Sequence, residues 1–412
     1  MQLIGTDTQS SPRHGGFTRV TAEVRTDRTA ETRIFWFDLP SELDGSLSSS
    51  GDPWAVLMLP WACHIGEPVR LDLPVDALLL DRLHGIQQIW RNWFPGLSVV
   101  PIDAPVRELG ASPKDVPGGA RTGAFFSGGI DSLFTLLRHN DRLIGDGTSL
   151  IDDLICVAGF NTSLDDFDAT RASLAPVAES FGKRLVPIAT NLRYSSQKVF
   201  TPYSDPFLMI HLAHGAALAA IGHLLGGRYS EIIIAATQDY ARLEPWGSHP
   251  FTDPLFGARR LRVTHDGAAF NRVERTLLVA GSDAALAALQ VCWRDRKDGN
   301  CSRCRKCLRT MATLDLVGAK ERAVTFDWTG YDMETLSKVW LHDSKEVDYF
   351  LDIAEAARSK GRDGIEAAAM RSIRFSRRKQ KILALINSNP VSRGAWQVAR
   401  QVRGRVRPSV RI

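Results

Sequence analysis

The sequence predicts an α/β protein. At its centre is a parallel sheet with helices on both faces. A smaller α+β domain precedes it and a mainly helical extension follows. Three observations predict this. Between Arg121 and Thr237, apolar runs alternate with amphipathic ones, as strands and helices do. The runs Leu150 to Phe160, Arg184 to Thr190 and Glu231 to Thr237 are nearly continuous, the pattern of strands covered on both faces. A glycine-rich turn, Ser127-Gly128-Gly129, joins the first apolar strand to a helix.

With 412 residues the chain suits two or three domains. The expected boundaries are an α+β domain over 1–109, a linker over 110–120, an α/β domain over 121–320 and a helical extension over 321–412. Hydrophobic residues make up 44% and charged ones 24%, ordinary for a globular protein. The first sixteen residues lack the basic-then-apolar layout of a secretory leader, and no apolar run reaches the roughly 20 residues of a membrane helix. A cytoplasmic location without membrane association is the expectation, and a homodimer a further one. Residues 371–412 hold twelve Lys or Arg and no Asp or Glu. Since the total is +5, the remainder stands at about −7. Such a tail suits a nucleic-acid or acidic protein partner, and equally a solvated end.

In the first domain, Phe17–Arg25, Thr32–Leu39, Trp54–Trp61, Val69–Leu73 and Leu97–Ile102 read as strands. Leu78–Phe94 reads as a helix with Leu79, Leu83, Ile86, Ile89, Trp90 and Trp93 on one face. Trp54, Trp61, Trp90 and Trp93 are assigned to the core. Gly110 to Ala120, with Pro113, Pro117, Gly118 and Gly119, is a linker by composition.

The segment Gly123 to His139 organises the next domain. Its strand ends at Phe126, and its helix shows Leu133, Phe134, Leu136 and Leu137 at helical spacing. A turn that opens a helix presents unpaired N–H groups and the positive end of the helix dipole, which suits phosphate. Gly128 and Gly129 let the backbone approach it without a Cβ. Ser127 and Ser132 add hydroxyls, and Asp131 is placed to hold Mg²⁺ or to orient the loop. Phe126, Ser127, Gly128, Gly129, Ile130, Asp131 and Ser132 are therefore the candidate phosphate-binding set, with Asp131 and Ser132 as catalytic candidates. No Gly-x-x-x-x-Gly-Lys-Ser/Thr is present, so this is not a Walker loop.

Ligands of parallel sheets sit at the carboxyl ends of the strands. Gly159, Asn161 and Thr162 follow the second strand there, Asn191 and Arg193 the third, and Gln238 and Asp239 the fourth. Gly159 and Asn161 are assigned to the nucleotide. Pro206–Leu225 reads as a long apolar helix with Asp205 as its N-cap. Its His211, His214 and His223 are assigned to core or edge, because a metal would need more ligands. The Pro- and aromatic-rich loop Arg242–Arg260 is the candidate substrate loop, with Asp239, Trp246, His249 and Asp253 as substrate-binding candidates.

Four of the six cysteines, Cys292, Cys301, Cys304 and Cys307, are spaced Cys-x8-Cys-x2-Cys-x2-Cys. Four thiolates so placed can close a structural Zn²⁺ site, with an iron–sulfur cluster as the rival. Arg294, Arg296, Arg303, Arg305 and Lys306 would offset its charge. Leu308–Val317 continues as a helix, and Tyr331–Ser388 reads mainly as helices.

Ser-Gly-Gly-Ile-Asp-Ser followed by this cysteine spacing resembles the 7-cyano-7-deazaguanine synthase family. Its members belong to the PP-loop ATP pyrophosphatases, with an adenine nucleotide alpha-hydrolase-like, Rossmann-like domain. The likeness covers about residues 121 to 320. It implies an ATP-dependent carbon–nitrogen ligase. Such an enzyme adenylates 7-carboxy-7-deazaguanine or a related small carboxylate and transfers nitrogen to give an amide, then a nitrile, with ATP, Mg²⁺ and a structural Zn²⁺. Where the family carries Val-Pro-Gly-Arg-Asn and Gly-Tyr-Pro-Asp-Cys-Arg, this chain has Thr-Pro-Tyr-Ser-Asp (201–205) and Gly-Ser-His-Pro-Phe-Thr-Asp (247–253). The additional domains resemble those of enlarged members in anti-phage defence clusters, where the product is joined to a protein. A PP-loop tRNA sulfurtransferase is the alternative reading. It needs a reactive cysteine outside the metal set, and only Cys63 and Cys156 remain.

Overall fold

The computed structural model describes residues 1–107, 121–140, 150–160, 163–193, 201–292 and 299–388. The chain forms two compact units, Met1–Asn271 and Arg272–Ile412.

The first unit begins with the antiparallel strands β1 (Gln2–Ser10), β2 (Phe17–Arg25) and β3 (Thr32–Pro40). Helix α1 (Asp52–Ile65), β4 (Val69–Arg70), β5 (Val75–Asp76), helix α2 (Ala77–Trp93), β6 (Ile102–Asp103) and β7 (Val106–Arg107) follow. Next come β8 (Arg121–Phe125), α3 (Ile130–Asn140), β9 (Asp153–Ala158), α4 (Phe167–Ser180) and β10 (Arg184–Thr190). A long helix runs from α5 (Pro206–Leu208) through a π turn (Met209–Ala213) into α6 (His214–Leu224), before β11 (Tyr229–Ala235) and β12 (Arg262–Asp266).

Ten of these strands form one sheet in the order β12-β11-β8-β9-β10-β3-β2-β1-β4-β6. Strands β8 to β12 are mutually parallel where they pair, so the expected α/β core is present. Chain order moves from β8 to β9 to β10, then jumps back across to β11. The reversal falls between β8 and β11, the place in an open α/β sheet where a crevice opens for ligands. At the opposite, amino ends, the buried Asp153 carboxylate staples three strands. It accepts from Arg121 at 3.0 Å, Arg228 at 2.6 Å and the Tyr229 hydroxyl at 3.0 Å. Burial raises its pKa, but the bonds from Arg228 and Arg121 outweigh that and hold it below the usual carboxylate range.

Residues 1–109 were expected as a separate domain, and the structure differs. β3 pairs antiparallel with β10 at Ala189↔Asp38 and Thr190↔Phe37. Asn191 extends the pairing by accepting from the Trp36 N–H at 3.0 Å and donating to the Ile34 carbonyl at 2.8 Å. One hydrophobic core holds Phe35, Trp54 and Trp90 together with Ile188, Ala216 and Ile232. The exposed edge that a parallel β10 would leave is covered by β3, so the N-terminal strands complete the sheet. The expected linker, 110–120, lies outside the described residues.

The segment Trp54–Trp61, read as a strand, lies inside helix α1, where Asp52 to Cys63 are all buried. A helix apolar on every side carries no 3.6-residue period, so its sequence cannot be told from a buried strand by periodicity. Pro53 in its first turn and Gly66 at φ +70 after it are the start and stop signals. Strand β1 was not foreseen, because its residues Ile4 to Ser10 are exposed and polar in pattern. The helix Pro206–Leu224 is long and apolar enough to cross a membrane, but 78% of its apolar window is buried inside the protein.

The second unit contains α7 (Arg272–Ala280), α8 (Asp283–Ala287), α9 (Arg305–Leu316), α10 (Met333–Ser337), α11 (Ser344–Ser359) and α12 (Asp363–Ser388). Asp332 and Asp343 cap α10 and α11, accepting from Thr335 N at 2.6 Å and Glu346 N at 2.9 Å. The cysteine segment, placed by sequence with the ATP domain, belongs to this unit.

Candidate functional site

Strand β8 delivers the glycine turn to the carboxyl edge of the sheet. Phe126 is buried and its N–H bonds the Ile155 carbonyl at 2.8 Å, which fixes the turn beside β9. Gly128 then takes φ +70, a left-handed conformation that glycine adopts without penalty. The Ser132 hydroxyl braces the turn from inside, accepting from Ser127 N at 3.2 Å and donating to Gly129 O at 3.1 Å. Its assignment as a phosphate-facing hydroxyl thus gives way to a role inside the loop in this structure. Ser127 is exposed, Gly129 and Asp131 are half-buried, and Ile130 is buried as the first residue of α3. The N–H groups of Gly128 and Ile130 have no acceptor among the described residues. The loop therefore offers backbone donors at a helix start, next to the strand-order reversal. Those are the features that bind phosphate.

Gly159 sits at the same edge after β9, at φ +82. A Cβ there would lie 1.6 Å from the Thr190 carbonyl oxygen, so the close approach of the β9 and β10 ends requires glycine. Asn161 and Thr162 lie outside the described residues. Asn191 is the strut to β3 described above. The Gln238 side-chain Oε1 accepts from Glu244 N at 3.1 Å, and the Asp239 carboxylate caps the following turn by accepting from Ala241 N at 3.1 Å.

The expected substrate loop is welded to the long helix. Gly247 inserts into the helix ladder at the π turn: its N–H donates to Ile210 O at 2.7 Å, and its carbonyl accepts from Gly215 N at 2.6 Å. The π turn is wide because a residue of another segment occupies the ladder there. Asp253 is fully buried beneath. It accepts from the Ser248 hydroxyl at 2.6 Å, His249 N at 3.1 Å and His265 Nδ1 at 2.7 Å. Gly215 leaves room for it, since a Cβ at that position would stand 2.2 Å from Asp253 Oδ1. Asp253 is thus the loop's internal anchor, which corrects its reading as a substrate ligand. His249 is buried as well, its ring 4.7 Å from Trp93 and 4.9 Å from Phe251. Burial, then His265, push its pKa down to about 4 against the pull of Asp253. His214 stacks on Phe160 at 4.9 Å, and burial lowers its pKa to about 4. Trp246 stays half-exposed, with an edge contact to His211 at 5.9 Å. Of the four substrate candidates, Trp246 and Asp239 keep some solvent access.

In the second unit the four cysteines come together. Their sulfur atoms all lie within 4.8 Å of one another, a group that could hold a metal ion such as zinc. Cys292–Cys304 and Cys301–Cys307 are 3.9 Å apart and Cys304–Cys307 3.5 Å. A tetrahedron with metal–sulfur bonds of about 2.3 Å has sulfur–sulfur edges of about 3.8 Å. The set therefore fits one ion. A four-iron cluster would force the sulfurs further apart. Hydrogen bonding from Cys307 holds the Cys304 thiol below the usual range, and the same bond with burial raises Cys307. So close a group of thiols cannot ionise together without a cation. Arg294 and Arg296 lie outside the described residues, and Arg305 pairs with Glu346 at 3.1 Å.

Two residues of this centre were not foreseen. The Asn300 side chain accepts from Val291 N at 2.8 Å and Cys292 N at 3.2 Å and donates to Leu289 O at 2.7 Å, tying the segment of the first cysteine to that of the other three. Ser302 holds φ +55 in the Cys301–Cys304 turn, and its hydroxyl accepts from Asp327 N at 2.8 Å. An Asn-Cys-Ser run is the available signal, because short polar side chains satisfy turn backbone. No family model, curated protein or solved structure matches the chain.

Proposed function

We propose that the chain is an ATP-dependent carbon–nitrogen ligase of the PP-loop type. On this reading it activates a small carboxylate, 7-carboxy-7-deazaguanine or a related deazapurine, and transfers nitrogen to it. It would do so in the cytoplasm, within a defence or modification system. One observation carries the reading: the Ser127-Gly128-Gly129 turn, with Gly128 at φ +70, opens α3 beside the reversal of strand order. A carboxylate oxygen attacks the α-phosphorus of ATP and pyrophosphate leaves. Ammonia then attacks the acyl carbon, releasing AMP and a proton. Backbone donors at Gly128 and Ile130 bind phosphate in this scheme. Asp131 would hold Mg²⁺, whose charge offsets that of the phosphates. Trp246 offers a flat face to a heteroaromatic acceptor, with Asp239 beside it in sequence.

The sulfurtransferase alternative is weaker on the remaining thiols. Cys63 is buried in α1 and its thiol is pushed up to about 12 by burial. Cys156 is buried in β9. Neither suits a nucleophilic thiolate. The ligase reading is tested by incubating the protein with ATP, Mg²⁺, ammonium and candidate deazapurine carboxylates. Mass spectrometry should find an amide or nitrile product, and Asp131→Ala should abolish it. ATP turnover without any deazapurine product would refute the acceptor class.

A further inference from the structure

Helix α12 (Asp363–Ser388), the last among the described residues, carries a feature the ligase reading does not use. The side chains of Ser372, Ser376 and Gln380, four apart on α12, hold the extended segment Val339–His342 against the helix. Ser372 donates to Val339 O at 2.6 Å, Ser376 accepts from Leu341 N at 2.9 Å, and Gln380 donates to Leu341 O at 3.1 Å. This fixes Trp340 beside the helix, with its ring centroid 3.8 Å from that of His342. Lys379 lies 3.8 Å over the Trp340 ring and 5.8 Å from the ring of Phe375, which is 42% exposed. Arg371, Arg374, Arg377, Arg378 and Lys381 are exposed on the same helix. None of them pairs with a carboxylate among the described residues, and no acidic residue follows Glu366 in the chain.

We propose that this platform binds single-stranded nucleic acid. Charge complementarity requires an anionic partner, and the rings decide which kind. Cations that track a phosphate backbone, interleaved with pre-ordered aromatic rings that meet bases, form the recurrent single-strand surface. A membrane-surface helix instead separates a continuous apolar face from its cations. Here Phe375 and Ile382 share a face with Arg371 and Arg378, seven residues apart in each case, so no such separation exists. His342, exposed at the rim, adds a further ring.

The proposal is independent of the ligase chemistry and is tested without ATP. Binding of the full chain to a fluorescent 20-nucleotide single strand, as DNA and as RNA, is followed by anisotropy between 50 and 200 mM salt. The wild type should bind with an affinity that falls steeply with salt. Arg374→Ala/Arg377→Ala/Arg378→Ala should flatten the log–log salt slope by about 2, at about 0.7 for each phosphate no longer neutralised. Phe375→Ala should weaken binding about tenfold at constant slope, as loss of base stacking does. Unchanged melting temperatures show that the variants fold. Three results would each overturn the proposal. One is an unaltered slope in the triple variant. Another is a Phe375→Ala protein that binds like wild type. The third is binding to phosphatidylserine vesicles without binding to either oligonucleotide.

Discussion

Gly128 is the residue on which the shape of the turn depends most. Its φ of +70 and its place beside Phe126 and Ile130 give the turn a shape that only a residue without Cβ adopts freely. Valine there would strain the backbone and fill the space a phosphate needs. Gly128→Val is therefore expected to lose ATP turnover by at least about a hundredfold, in line with the cost of removing positioned donors. The melting temperature should fall as well, because Gly128 is buried and a β-branched residue at positive φ is strained, so turnover is measured on variant protein shown to be folded. Turnover near the wild-type rate would remove the phosphate role. The sequence placed this turn, since paired glycines between an apolar strand and a helical pattern mark a tight strand-to-helix connection. It misassigned Asp253, because a carboxylate in a polar loop looks the same whether it faces solvent or a buried set of donors. Only the three-dimensional path shows Ser248, His249 and His265 converging on it.

The loop Pro245–Phe256 and the helix it docks on behave as one element, and histidines make that element sensitive to pH. His214 and His249 both titrate near 4 when folded, against about 6.5 when unfolded. Above 6.5 both states are neutral and the histidines add nothing to the pH dependence. Between 6.5 and 4 the unfolded chain takes up protons that the folded one refuses, so stability falls as pH falls. Each site contributes up to about 1.4 kcal/mol per pH unit in that window. The melting temperature of the first unit should thus drop from pH 7 to pH 5, and His249→Phe should recover part of the drop. An identical pH dependence in the variant would show that His249 does not titrate as described. Composition forecast a functional loop here. The sequence could not show that Gly247 would enter the ladder of another helix, because that pairing joins residues more than thirty apart.

The two compact units separate the glycine turn from the cysteine centre along the chain, and they can be probed apart. The centre should hold one Zn²⁺ per chain by elemental analysis, with Cys304→Ser lowering its content and destabilising the second unit, because a site formed only on folding adds its binding free energy to stability. The first unit should keep its melting transition in that variant. A metal-free wild type, or a Cys304→Ser protein that melts like wild type, would contradict this. The parallel sheet and the metal set were readable because each has a local signature: continuous apolar runs in one case and cysteine spacing in the other. The division of the chain was not. The Pro- and Gly-rich stretch after Leu109 looked like a boundary, yet β3 crosses it by pairing with β10, and pairing between distant strands leaves no mark on composition.

The central claim is that the Ser127-Gly128-Gly129 turn supports cleavage of ATP between its α and β phosphates. Phosphorus NMR of the products formed from ATP and Mg²⁺, with the acceptor carboxylate and ammonium present, tests it directly. AMP and pyrophosphate are expected in equal amounts, and neither from Asp131→Ala. ADP and inorganic phosphate as the products, or AMP and pyrophosphate formed equally well by Asp131→Ala, would contradict it.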